Sequence, residues 1–207
     1  MAPGTHITFD RTTSRPWAYR GPFTQLWRWI CLGILKVSGW TLEGDWPPYP
    51  KGVFICAPHT SNWDGIWMLV AAGAWRFRIR YMGKKSLTEG PFGWLVRWSG
   101  CIPVDRSKSN DLVAQMAKAF AAEDVLLLGI PPEGTRGKVE RWKSGFYYIA
   151  LGAGVPLLFA VLDYGTRKIR ISGALWPSGD YAADFEIIRT HYEGAQGKVP
   201  EDFTLAI

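Results

Sequence analysis

The sequence predicts an α/β domain with a mixed, largely parallel central sheet flanked by helices, preceded by an N-terminal amphipathic helix. Three observations carry this. Short apolar runs of strand type recur at 53–57, 125–130 and 157–162. Stretches of helical periodicity separate them. A chain of 207 residues with 47% hydrophobic content is long enough to bury one sizeable core.

The elements follow in order. Residues 1–22 read as an irregular arm rich in turn formers. Residues 24–38 read as a helix. Thr24, Gln25, Arg28, Lys36 and Ser38 fall on one side, and Leu26, Trp27, Trp29, Ile30, Ile34 and Val37 on a wide opposite side. Such a helix either lies in a membrane interface or packs on the protein's own core. Residues 44–52 form a Pro-rich connector, and 53–57 a buried-type strand. Ser61 or Asn62 caps a helix running to about Trp75. His59 then sits in a strand-to-helix turn and Asp64 in the helix's first turn.

Residues 76–81 alternate strictly, which as a strand puts Arg76, Arg78 and Arg80 on one face. A short helical pattern at 90–99 contains Trp94, Leu95 and Trp98, and 102–104 is a short strand. A helix at 110–122 starts near Asn110 or Asp111. The strand at 125–130 runs into Pro131-Pro132-Glu133. A helix at 143–152, strands at 157–162 and 168–175, and a closing helix or irregular tail at 180–190 complete the chain. Residues 1–45 are expected to be an arm with an interfacial helix, and 46–207 the functional domain.

The net charge is +6 and uneven. Between Arg76 and Lys108 stand eight basic and two acidic residues, so this stretch carries the whole excess. A local positive field suits anionic headgroups, phosphates or an acidic carrier protein, and is equally a common solvated face. Twelve Trp are many for this length, and Trp favours sites apolar on one side and wet on the other. Membrane contact and an aromatic core are the two readings. Cys31, Cys56 and Cys101 form no paired motif, and with three scattered His they give no metal-ligand spacing. Reduced thiols, no metal and no cofactor are expected. The first residues show no secretory signal, and no apolar run reaches the ~18–20 residues that span a bilayer.

Two motifs carry chemistry. His59-Thr60-Ser61-Asn62-Trp63-Asp64 sets an imidazole near a carboxylate, and Pro132-Glu133-Gly134-Thr135-Arg136 follows the apolar run at 125–130. A neutral His accepts a proton near pH 7, and a carboxylate fixes its tautomer. No G-x-S-x-G elbow is present, so the base is expected to act on a substrate hydroxyl.

Taken together, these motifs resemble the glycerophosphate and lysophospholipid acyltransferase superfamily, and the bacterial 1-acyl-glycerol-3-phosphate acyltransferases in particular. His59-x4-Asp64 matches the first block, and Gly100-Cys101-Ile102-Pro103-Val104-Asp105-Arg106 the second. Pro132-Glu133-Gly134-Thr135-Arg136 matches the third, Val155-Pro156-Leu157-Leu158 the fourth, and Lys84-Lys85 the family's basic pair. The likeness runs from about residue 50 to 162. Pro132 stands where the family usually has Phe, and Gly137 where Ser is frequent.

The resemblance implies acyl transfer from acyl-CoA or acyl-carrier protein to a lipid hydroxyl, with 1-acyl-glycerol 3-phosphate as acceptor and phosphatidic acid as product. It implies His59 as base and Asp64 as its orienter. Arg106 and Arg136, supported by Lys84, Lys85, Gly134 and Thr135, would cradle the acceptor phosphate. Glu133 would bind the acceptor or hold the loop around Gly134. Amides at the helix start after His59, or in the Gly134 turn, are the two candidate oxyanion sites. The expected place is the cytoplasmic face of the cell membrane, peripheral or monotopic. The alternatives are another hydroxyl or lyso-lipid acceptor, or a non-catalytic lipid-binding protein on the same fold. Nucleic-acid binding would leave His59 and Asp64 without a use, so no nucleic-acid partner is expected.

Overall fold

Parallel strands form the centre of the structure, a computed structural model that describes residues 6–7, 22–44, 49–104 and 112–207. In chain order the elements are β1 (His6–Ile7), α1 (Pro22–Ser38), β2 (Thr41–Glu43), β3 (Lys51–Ala57), α2 (Asn62–Trp75) and β4 (Ile79–Lys84). Then come α3 (Lys85–Glu89), α4 (Gly93–Trp98), β5 (Cys101–Val104), α5 (Leu112–Ala122) and β6 (Leu126–Ile130). Last are α6 (Gly145–Ala153), β7 (Leu157–Asp163), β8 (Lys168–Leu175) and α7 (Tyr181–Tyr192).

The sheet order is β1-β8-β7-β3-β6-β4-β5, with β2 also paired to β8. Strands β7, β3, β6, β4 and β5 run parallel, and β8 is antiparallel to β7. Both faces are covered, which explains continuous apolar runs such as Leu126–Ile130, all buried. Val53, Ile55, Leu128, Phe159 and Val161 face α5, α6 and α7. Phe54, Leu127, Leu158, Ile169 and Ile171 face α1 and α2. The segment at 180–190 is a helix: Asp180 caps it by accepting from Ala183 N–H at 3.1 Å, and Phe185, Ile188 and Tyr192 are buried.

Topology places the site. From β3 the chain crosses through α2 to β4, beyond β6. From β6 it crosses through α6 to β7, on the other side of β3. The two connections diverge at the carboxyl ends of adjacent strands, and such a switch point opens a crevice.

Two sequence expectations change. Residues 76–81 are not one strand. Helix α2 runs to Trp75 and ends through Arg76 in the left-handed region (φ 60°), its N–H reaching the Ala72 and Gly73 carbonyls. Only from Ile79 does the strand begin, so Arg76 and Arg78 lie outside it; Arg78 reaches the Trp98 carbonyl and Arg80 that of Gly100. Helix α1 also packs with the side read as polar. Cys31 and Leu35 are buried, Arg28 reaches the Ala74 carbonyl, and Thr24 and Ser38 lie half-buried along the same stripe. The broad apolar side, with Leu26, Trp29, Ile30, Ile34 and Val37, is exposed. The Trp set divides: Trp40, Trp75 and Trp142 are buried in the core, while Trp29, Trp94 and Trp98 are over 60% exposed.

The α1–α2 contact depends on Gly73, where a Cβ would stand 2.5 Å from both Cys31 Sγ and Trp27 Nε1. Gly73→Val should therefore lower stability by about 1–3 kcal/mol through overpacking. Denaturant unfolding checks this; an unchanged midpoint would show that α1 does not pack there.

Candidate active site

The loop after β3 carries His59, and α2 begins three residues later. Ser61 is the N-cap. Its hydroxyl accepts from Trp63 N–H at 3.3 Å, and the Asp64 carboxylate accepts from Ser61 N–H at 2.8 Å, a reciprocal cap. The same Oδ2 accepts from Thr60 N–H at 2.8 Å and faces His59 Nδ1 at 3.2 Å. Nδ1 thereby carries the proton, which leaves Nε2 with the lone pair. The His59 ring is 23% exposed and Asp64 only 5%. Burial would raise the Asp64 carboxyl. Hydrogen bonds from His59, Tyr164 and the Ser61 amide outweigh it and hold the group below the usual carboxylate range.

The loop after β6 supplies the other half. Glu133 is 1% exposed, and its Oε1 accepts from His59 N–H at 3.0 Å. Through this bond it ties the loop after β6 to the loop after β3. Oε2 has no hydrogen-bond partner among the described residues. Gly134, in the left-handed region (φ 68°), exposes the chain where a Cβ would meet Lys143 Nζ at 2.9 Å. Its amide donates to the Pro131 carbonyl at 3.2 Å. The Thr60 and Ser61 amides are thus committed to Asp64, and that of Gly134 to Pro131.

A cavity of about 960 Å³ opens here, of a size common for ligand sites. His59, Asp64, Thr135, Arg136 and Lys143 line its polar part. Phe54, Met68, Ala71, Trp75, Phe77 and Ile79 line an apolar part between α2 and the sheet. Gly129 keeps that part open, since a Cβ there would meet Ile79 at 3.0 Å and Met68 at 3.3 Å. Cys56 also lines the cavity, but burial and the nearby Glu133 charge push its thiol up to about 12, far from a reactive thiolate.

The structure thus brings together His59, Asp64, Glu133, Gly134, Thr135 and Arg136. Lys84 and Lys85 are exposed and absent from the lining; Lys85 pairs with Glu89 at 3.5 Å instead. Asp105 and Arg106 lie outside the described residues. Sequence reasoning missed Lys143, which no motif marks, and Tyr164, whose hydroxyl donates to Asp64 Oδ1 at 2.7 Å. Among the described residues no group of His, Cys, Asp and Glu is arranged to hold a metal ion.

Glu133 gives a pH-dependent expectation. Burial pushes its carboxyl up to about 7, against smaller opposing effects from the His59 amide and ring. A folded value above the unfolded one means full stabilisation below about pH 4.3, lost as pH rises through about 7. Glu133→Gln keeps an acceptor for His59 N–H and removes the titration. Denaturation between about pH 4.5 and 8 should lose on the order of 2–3 kcal/mol less in the variant. Equal slopes for the two proteins would show that this carboxyl does not carry the effect.

The family described as Acyltransferase matches residues 43–162, which include both loops. A 1-acyl-sn-glycerol-3-phosphate acyltransferase from Haemophilus influenzae is 31% identical over 128 residues, covering 58% of this chain and 51% of the relative. One from Escherichia coli is 27% identical over 135 residues, covering 62% and 53%. The chain thus spans about half the length of the curated relatives it matches. The crystal structure of the 1-acyl-sn-glycerophosphate (LPA) acyltransferase PlsC from Thermotoga maritima aligns over 81% of this chain and 77% of that one. Its TM-score is 0.54 at 16% identity, a likeness of fold. With more than half its length matched, the chain belongs to the acyltransferase family.

Proposed function

We propose that the chain transfers a fatty acyl group from a thioester, acyl-CoA or acyl-carrier protein, to the free hydroxyl of a lysophospholipid. The favoured acceptor is 1-acyl-glycerol 3-phosphate, the substrate named for the relatives from both bacteria. The observation that carries this is a His59–Asp64 pair at 3.2 Å beside a cavity with apolar depth. His59 Nε2 takes the hydroxyl proton as the oxygen attacks the thioester carbonyl. The tetrahedral adduct collapses, the C–S bond breaks, and the thiolate leaves with the proton returned by His59. The buried apolar part suits an acyl chain. Arg136 and Lys143 supply positive charge for the acceptor phosphate.

Residues 46–207 would form the catalytic domain, while the arm and α1 would meet the bilayer. No described helix is long and apolar enough to cross a membrane. Helices α1 and α4 expose apolar side chains, among them Trp29, Ile30, Trp94 and Trp98, and α4 carries the exposed Arg97 and is met by Arg78 at the Trp98 carbonyl. A site on the cytoplasmic leaflet, reached from one side, fits these faces.

His59→Ala should lower transfer by roughly 10²–10⁴-fold without unfolding the domain. Asp64→Asn should be severely impaired too. Product formation by mass spectrometry reads both, and near wild-type turnover in either would remove the base assignment.

Trp29→Ser with Trp98→Ser should weaken binding to anionic vesicles, leaving the folded core intact because both rings are exposed. Trp27 is the poorer choice, since its indole approaches Gly73. Binding should also fall as salt rises, because exposed charges are screened over ~10 Å at 0.1 M. Vesicle sedimentation checks this; unchanged binding would move the membrane surface elsewhere.

A further inference from the structure

We infer that Tyr164 is a positioning residue for the catalytic pair, acting through Asp64; the inference rests on the reading of His59 as base. Asp64 Oδ2 takes two amides of its own turn, Thr60 and Ser61. Those donors fix one oxygen and leave the carboxylate free to swing about it. Oδ1 receives the Tyr164 hydroxyl at 2.7 Å, from 100 residues away in sequence. With both oxygens held, the plane of the carboxylate is set, and so is the ring it faces at 3.2 Å. Tyr164 is not among the residues lining the cavity, so it reaches the reaction only through Asp64.

The chain around Tyr164 is built to hold that hydroxyl still. Tyr164 follows the end of β7, and its N–H donates to the Gln196 carbonyl at 2.9 Å. The preceding Asp163 is buried and gathers Gly165 N–H at 3.0 Å, Thr166 Oγ1 at 2.6 Å and Gln196 N–H at 3.1 Å. These bonds fasten the turn after β7 to the C-terminal segment. That segment also reaches the catalytic loop, where Val199 N–H donates to Thr60 Oγ1 at 3.2 Å. Buried Trp40 meets the Tyr164 ring edge-on at 5.0 Å, and Trp67 lies against Trp40 at 4.9 Å. A carboxylate oxygen only accepts, so the phenol's proton is directed to Asp64.

Tyr164→Phe removes one O–H and keeps the ring. Acyl transfer should show a kcat roughly tenfold lower, as for losing a bond to a charged group, with KM for donor and acceptor within about twofold. In ¹⁵N-histidine spectra His59 should show one Nδ1–H tautomer in the unmodified protein and an averaged pattern in the variant. Should Tyr164→Phe fail to fold, Trp40→Phe, which loosens the ring's seat and keeps the hydroxyl, should give the same spectral change. Unchanged kcat with an unchanged His59 spectrum would overturn the inference, as would a raised KM at constant kcat. If the unmodified protein transfers no acyl group to any acceptor, the proposed function fails by itself. The His59 spectrum still decides the role of Tyr164.

Discussion

Asp64 keeps a negative charge at a position 5% exposed, and much of the surrounding structure exists to make that tolerable. A buried carboxylate without partners is costly by several kcal/mol. Here two amides, a phenol and an imidazole meet it. It also lies in the first turn of α2, where the helix dipole favours an anion. The carboxylate in turn orients His59, caps α2 and draws in the end of β7. One group therefore couples the start of a helix, a strand end and His59.

Glu133 solves the opposite problem on the other side of His59. It is also buried, but it has fewer donors, and its carboxyl rises to about 7 where that of Asp64 falls. In Asp64 hydrogen bonds outweigh the cost of burial, whereas in Glu133 burial prevails. Glu133 ties the loop after β6 to the loop after β3 through His59 N–H. Away from these loops, α1 is fastened by Cys31, Leu35 and Arg28 and leaves its aromatic side outward.

The parts of the site legible in the sequence are the local ones. Ser61 and Asp64 read as a helix start because capping is decided within four residues, so the placing of His59 followed. The apolar strands were equally plain, since a sheet covered on both faces leaves no other pattern. What failed was non-local or too short. The alternation at 76–81 matches a strand, yet the end of α2 depends on where Trp75 and Phe77 pack. Helix α3 has five residues, too few to show a period, and β2 pairs with a strand more than 120 residues later. The burial of Glu133 and the reach of Tyr164 are set by folds of 74 and 100 residues, which no spacing records. Lys84 and Lys85 matched the family's basic pair in sequence but stand outside the cavity, Lys84 ending β4 and Lys85 opening α3.

The central claim is acyl transfer to a hydroxyl inside this cavity, and it is met most directly by supplying both substrates. Purified protein would be incubated with palmitoyl-CoA or a palmitoyl-loaded acyl-carrier protein and a panel of lyso-lipid acceptors, with products read by mass spectrometry. The account predicts a new ester on 1-acyl-glycerol 3-phosphate, formed faster than on acceptors without phosphate. Hydrolysis of the thioester alone, or binding of the lipids with no ester on any acceptor, would contradict it.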